Sequence, residues 1–134
     1  MSDFNQQLID EFRANGGRTS GPFKDSNVLL LTTTGRKSGR RLTSPLVFSR
    51  DGEDLIIVAS KGGAPTHPVW YLNLVSNPDV ELEVGGDRYP ARATVTEDDE
   101  RQRLFDAHAE GMPGFRDYQT KTTRILPVIR LRRA

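Results

Sequence analysis

The 134-residue chain has no cysteine, which excludes disulfide staples, thiolate zinc sites, iron–sulfur clusters and a cysteine nucleophile. Its two histidines, His67 and His108, stand far apart, so a histidine-rich metal centre is not expected. Aromatic residues are few, at 7%, with a single tryptophan at Trp70. No apolar run approaches the ~18 residues that a membrane-spanning helix needs, and the opening stretch MSDFNQQLIDEF has neither a basic nor an apolar leader region. An excess of one charge is also missing: 19 Lys+Arg against 18 Asp+Glu leave +1, so no global field recruits nucleic acid or an anionic bilayer. No GxSxG, HExxH, Walker or GxGxxG motif occurs. The expectation is a cytoplasmic chain without an integral membrane segment, structural metal or nucleic-acid partner, peripheral membrane attachment being left open. Any reaction it runs would borrow a cofactor.

What is present is a strong periodic pattern. Phe4, Leu8 and Phe12 recur at i, i+4 and i+8, which predicts an amphipathic helix over 3–15, capped by Ser2 and ended by Gly16-Gly17. From residue 28 the period is that of strands: NVLLLTTT (27–34), LTSPLVFSR (42–50) and DLIIVASK (54–61), the last two joined by the hairpin signal Asp51-Gly52. Leu55 to Ala59 is apolar on both faces and predicts a central strand. Pro45, unable to donate to a ladder, marks an edge, a bulge or a ligand-facing gap. THPVWYLNLVSNP (66–78) predicts a helix with Thr66 as cap, Pro68 in its first turn and Asn77-Pro78 as the stop. Two alternating strands (79–85 and 88–96) turn at Gly85-Gly86-Asp87, a helix from Thr96 to Gly111 places His108 on its inner face, and PVIRLRR (127–133) is a last strand.

Short strands joined by tight turns argue for antiparallel pairing. The expected fold is α+β, mainly β: a six-stranded antiparallel barrel with flanking helices. The chain reads as a single domain spanning 1–134, with the N-terminal helix in 1–17 and the barrel in 27–133.

Three segments could carry chemistry. Gly35-Arg36-Lys37-Ser38-Gly39-Arg40-Arg41 packs four cations, a hydroxyl and two glycines into seven residues between strands, either an anion cradle or a solvated hairpin. Ser60-Lys61-Gly62-Gly63 sets an ammonium at the end of the apolar strand. Trp70 and Tyr71 are adjacent on a helix, about 100° apart, so one can pack in the core while the other faces a cavity.

Together, TTTGRKSGRRLTSPLVF, VASKGGAPTHPVWYLNLVSNPDVELEVGG and GFRDYQTKTTRILPVIRL resemble the deazaflavin-dependent nitroreductase family of actinobacteria. The resemblance runs from about Asn27 to Leu131. It implies a split β-barrel that binds coenzyme F420 and uses the reduced form as hydride donor to a small organic acceptor, a quinone, an enone or a nitro compound. Carried over position by position, it implies that Arg36, Lys37 and Ser38 meet the cofactor's phosphate and polyglutamate tail. The strand Thr43, Ser44, Pro45, Leu46 and Val47 would run beside the linker and ring. Ala59, Ser60 and Lys61 would form a second wall, with Trp70, Tyr71 and Asn73 completing the pocket. Leu42 stands where the family commonly has an arginine, with Arg41 one residue earlier. Tyr118 matches a tyrosine that holds or protonates the acceptor, and Met112 and Phe115 share its three-residue spacing at the substrate end. A carrier of F420 without turnover and an FMN-binding split-barrel protein are the alternatives, and monomer and homodimer both stay open.

Overall fold

The computed structural model describes residues 2–18, 27–60, 63, 66–123 and 125–134. Its elements, in chain order, are α1 (Ser2–Ala14), β1 (Val28–Thr34), β2 (Arg41–Val47), β3 (Ser49–Asp51), β4 (Asp54–Val58), α2 (Val69–Ser76), β5 (Asp79–Val84), β6 (Asp87–Val95), α3 (Asp98–Gly111), α4 (Gly114–Thr120) and β7 (Val128–Arg133). All strand pairings are antiparallel, in the order β2-β1-β5-β6-β7-β4-β3, and the curled sheet forms the expected split barrel.

The strand count is seven, not six. The predicted strand 42–50 is divided at Phe48: residues up to Val47 pair with β1 at one edge of the sheet, whereas Ser49–Asp51 pairs with β4 at the other edge. Phe48 makes the corner, buried in the core, its N–H donating to the Asn27 carbonyl (2.9 Å). Alternation runs through the corner unbroken, so the sequence carries no sign of it. The helix count also rises by one. Gly111 to Gly114 interrupts the helical pattern, and α4 forms beyond it. α2 begins at Val69 with Pro68 as its N-cap residue, two positions after the Thr66 expected there.

Three apolar clusters explain which strands are buried on both faces. The barrel interior holds Leu29, Leu31, Leu55, Ile57, Trp70, Leu74, Leu82 and Leu131 among others. On the opposite face of β4, Ile56 and Val58 lie under Leu104 and Phe105 of α3. On the opposite face of β1, Val28 and Leu30 lie under Ile9 and Phe12 of α1; the side chain of Phe4 falls outside the described residues. β4 is buried throughout, as its composition predicts, but it is not central: it lies next to the sheet edge, with only the short β3 beyond it. α1 is fixed further by Arg13, whose guanidinium donates twice to the Glu83 carboxylate (3.0 and 2.8 Å).

Candidate functional site

Strand register gathers most of the candidate residues at one end of the barrel. Thr34 opposes Arg41, Val58 opposes Val128, and Asp79 opposes Arg92, so β1 and β4 end where β2, β5 and β7 begin. α2 runs from the end of β4 to the start of β5 and therefore crosses this end. Here too the barrel is split. β3 covers β4 only as far as Ile56, leaving Ile57 and Val58 without a partner on that side, because the chain leaves β4 to join β1. One margin of the split is the edge strand β2, carrying Thr43 to Val47; the other is the end of β4, continued by Ala59 and Ser60. Pro45 fits such an edge, where a missing N–H can face away from the ladder.

The GRKSG hairpin overlooks the split. Gly39, at φ 73°, turns the chain in the left-handed region that suits glycine. Within the loop the Gly35 N–H donates to the Arg40 carbonyl (2.7 Å) and the Gly39 N–H to the Gly35 carbonyl (2.9 Å). The Arg40 N–H donates to Ser38 Oγ (3.1 Å) and the Arg36 N–H to Asn73 Oδ1 (3.1 Å). No described residue accepts from the Lys37 or Ser38 N–H. Adjacent N–H groups of this kind form an anion-binding concavity.

The side chains agree with that. Among the described residues no carboxylate pairs with Arg36, Lys37 or Arg40; Arg18, Arg50, Arg101 and Arg133 also have none, the last three lying over the Phe48, Phe105 and Tyr89 rings instead. Arg41 is different: it lies 3.5 Å from Glu81, which Arg88 holds more closely at 2.8 Å. A cleft of about 460 Å³ joins the loop to Leu42, Val69, Leu72 and Asn73. Leu42 and Val69 are exposed, unusual for their type, and give the cleft an apolar side next to its cations. Sequence reasoning counted Arg40 among the loop's four cations but did not pick out Val69 or Leu72. The i, i+3 spacing of Val69 and Leu72 was the available signal, and it was absorbed into a general helix reading.

The other candidates divide. Trp70 is the core member of the aromatic pair, packed inside the barrel, while Tyr71 is half-buried with its ring 4.7 Å from that of His67. In β2, residues opposite one another share a face. Leu42, Ser44 and Leu46 are therefore on the barrel side with Thr33, Leu31 and Leu29, whereas Thr43, Pro45 and Val47 are on the α1 side. Thr43 Oγ1 lies 2.8 Å from Thr32 Oγ1 there. Lys61 falls outside the described residues.

Tyr118 reaches the same barrel end through Gly63. The Gly63 N–H donates to the Ser60 carbonyl (2.9 Å), and a Cβ on Gly63 would stand 2.6 Å from the Tyr118 carbonyl oxygen. Only glycine lets α4 pass that close. The Tyr118 ring meets Phe115 edge-on (5.3 Å), and Phe115 meets His108 edge-on (4.5 Å), both packed against the cluster under α3. Met112 is separate, in a cleft of about 320 Å³ with Phe48, Ser49, Arg50 and His108. His108 is fully buried, its Nδ1 2.7 Å from Ser49 Oγ and its Nε2 without a hydrogen-bond partner; burial pushes its pKa down to about 4. It is a neutral core residue.

The barrel is thus split at one end, where a cationic hairpin stands beside a cleft with an apolar side. The comparisons show the chain's family. The sequence model for F420H(2)-dependent quinone reductase matches residues 6–132, and the chain belongs to that family of F420-dependent reductases. It is 43% identical over 108 residues to an F420H(2)-dependent quinone reductase of Mycobacterium tuberculosis, a stretch covering 78% of this chain and 72% of the relative. A solved F420-H2 dependent reductase is 39% identical, with a TM-score of 0.72, and the match covers 78% of this chain and 93% of that one. A second solved relative, described as a domain-swapped dimer, is 34% identical with a TM-score of 0.75, covering 94% of this chain and 92% of that one. Among the described residues no helix is long and apolar enough to cross a membrane.

Proposed function

We propose that this reductase carries a hydride from reduced F420 to a small organic acceptor, a quinone before an enone or a nitro compound. One observation supports it above the rest: Arg36, Lys37 and Arg40 are unpaired beside a cleft with an apolar side. The residues present fit an anionic tail joined to a flat ring. Arg36, Lys37, Arg40 and the Lys37 and Ser38 N–H groups would hold the phosphate and carboxylates, with Arg41 a weaker contributor because Glu81 competes for it. The free edge of β2, with Leu42 and Ser44 on its barrel side, and Ala59 and Ser60 across the split would hold the linker and ring. When bound, reduced F420 supplies a two-electron hydride donor. The chain need then only orient it, exclude water and supply a proton or hydrogen bond to the reduced acceptor, the role proposed for the Tyr118 hydroxyl. Phe115 would back that ring, and Met112, in its own cleft, would be the most distant of the three substrate-end residues.

Titration of the purified protein with F420 and with FMN tests this reading. Saturable binding of F420, and oxidation of its reduced form by menadione in the protein's presence, are expected. Tight FMN binding in preference to F420 would favour the FMN alternative, and F420 binding without turnover on any acceptor the carrier. Because one relative is a domain-swapped dimer, light scattering on the same sample decides between monomer and homodimer.

A further inference from the structure

The geometry points to Asn73 as a positioning residue for the anion loop, acting through the backbone and through buried Thr33. This rests on the functional reading above, which makes the loop a cofactor-tail site. Asn73 is 3% exposed and Thr33 wholly buried. Asn73 Oδ1 accepts from the Arg36 N–H (3.1 Å), while Nδ2 donates to Thr33 Oγ1 (3.1 Å). One amide thus ties three elements together: the last turns of β1, the middle of α2 and the first cation of the loop. Apart from the longer contact of Arg41 with Glu81 (3.5 Å), the Arg36–Asn73 bond is the loop's one described anchor to another element. The remaining bonds, Gly35 to Arg40, Gly39 to Gly35 and Arg40 to Ser38, close the hairpin on itself. They fix its shape but not its tilt over the cleft. The two amides with no partner among the described residues, Lys37 and Ser38, directly follow the anchored residue, so the anchor sets their direction.

A neutral amide suits the position. It accepts from one N–H and donates to a hydroxyl, whereas a carboxylate would bring a charge toward Arg36 and compete with an anionic ligand. Thr33 orients the amide: with Nδ2 on the hydroxyl, Oδ1 faces the loop. Thr33, having no exposed surface, cannot be a ligand contact and separates positioning from direct binding.

The test compares Thr33→Val, Asn73→Ala, the double variant and Lys37→Ala, with Thr33→Ser as the conservative rescue. F420 affinity is measured at several salt concentrations, and exchange of the Arg36 amide is followed in cofactor-free protein. Thr33→Val should weaken F420 binding by roughly three- to tenfold, Asn73→Ala by at least as much, and the double variant no more than Asn73→Ala alone. Thr33→Ser should bind like the parent. The salt dependence should stay that of the parent in all of these, since no charge is lost, and should shrink only in Lys37→Ala. Arg36 amide protection should fall in Asn73→Ala and Thr33→Val. Parent-like affinity in Thr33→Val beside a loss in Asn73→Ala would overturn the proposal in favour of direct contact. Unchanged Arg36 exchange in both would overturn the anchor itself, whatever the parent binds. Failure of the parent to bind F420, with Arg36 exchange responding as expected, would reject the functional reading and keep the anchor.

Discussion

Arg130 and Lys37 are cations of one small barrel, and their surroundings give them opposite roles. Arg130, on β7, is 13% exposed and satisfies three carboxylates: Asp54 and Asp51 at 2.8 Å and Glu100 at 3.0 Å. Arg132 and Arg103 complete the set on Asp54 and Asp51, joining β3, β4, β7 and α3. The arginines hold Asp51 and Asp54 below their usual carboxylate range, Arg103 contributing most at Asp51 and Arg132 at Asp54. In the 35–41 hairpin, at the far ends of β1 and β2, Arg36, Lys37 and Arg40 pair with no described carboxylate. The +1 net charge therefore conceals a sorting. Where charges hold strands together they are neutralised in place; in the hairpin Arg36, Lys37 and Arg40 are left without a described carboxylate.

The comparison breaks first, and hardest, at Arg130. Arg130→Met should lower stability by about 2–4 kcal/mol, since it leaves half-buried carboxylates short of a partner, while F420 affinity at unchanged temperature stays the same. Denaturant unfolding together with a cofactor titration checks both halves. Lys37→Ala should do the reverse. Stability should move by less than about 0.5 kcal/mol, and F420 binding should weaken by about 1–3 kcal/mol with a smaller salt dependence. If both variants lose stability and affinity together, the two regions are not separate.

Acid sharpens the contrast further. His108 is neutral in the fold, with a pKa of about 4 against 6.5 when unfolded, so its contribution is complete above pH 6.5 and is lost as pH falls toward 4. The carboxylates Asp51 and Asp54 are depressed, so theirs is present above the ordinary value of 3.8 and is lost only below it. Thermal melts should show a first decline between pH 6.5 and 4 that is absent in His108→Gln, and the network failing at lower pH. A melt that is flat to pH 4 in the parent would contradict the buried neutral imidazole.

The remaining effect concerns the chemistry. Tyr118→Phe should slow menadione-dependent oxidation of reduced F420 by roughly ten- to a hundredfold, about 1.4–2.7 kcal/mol, because water can partly replace the hydroxyl. Cofactor affinity should hardly change. Equal rates would remove the hydroxyl from the reaction, and lost cofactor binding would move Tyr118 to the cofactor wall.

The fold was legible where period and punctuation agree. Asp51-Gly52 and Gly85-Gly86 mark two-residue hairpins that the register confirms, and the doubly apolar β4 is buried on both faces. The corner at Phe48 was not legible, because a strand that changes neighbours keeps its alternation. The hairpin's composition exposed it as a candidate site. Which of its cations are free did not follow, since Arg41 is drawn to Glu81 from a strand 40 residues away. The link among Thr33, Asn73 and Arg36 was equally out of reach: it joins residues 40 and 37 positions apart, and a threonine within an apolar strand shows no sign of it. Trp70, unique in the chain, drew notice for its rarity and lies in the barrel core.

The account stands most directly on one titration: F420 into the parent and into the variant with Arg36, Lys37 and Arg40 all replaced by alanine, at low and high salt, with thermal melts of both. The parent should bind saturably and more weakly as salt rises, and the variant should melt like the parent yet lose most of its affinity and nearly all of its salt dependence. A well-folded variant that binds F420 as the parent does, with the same response to salt, would contradict it.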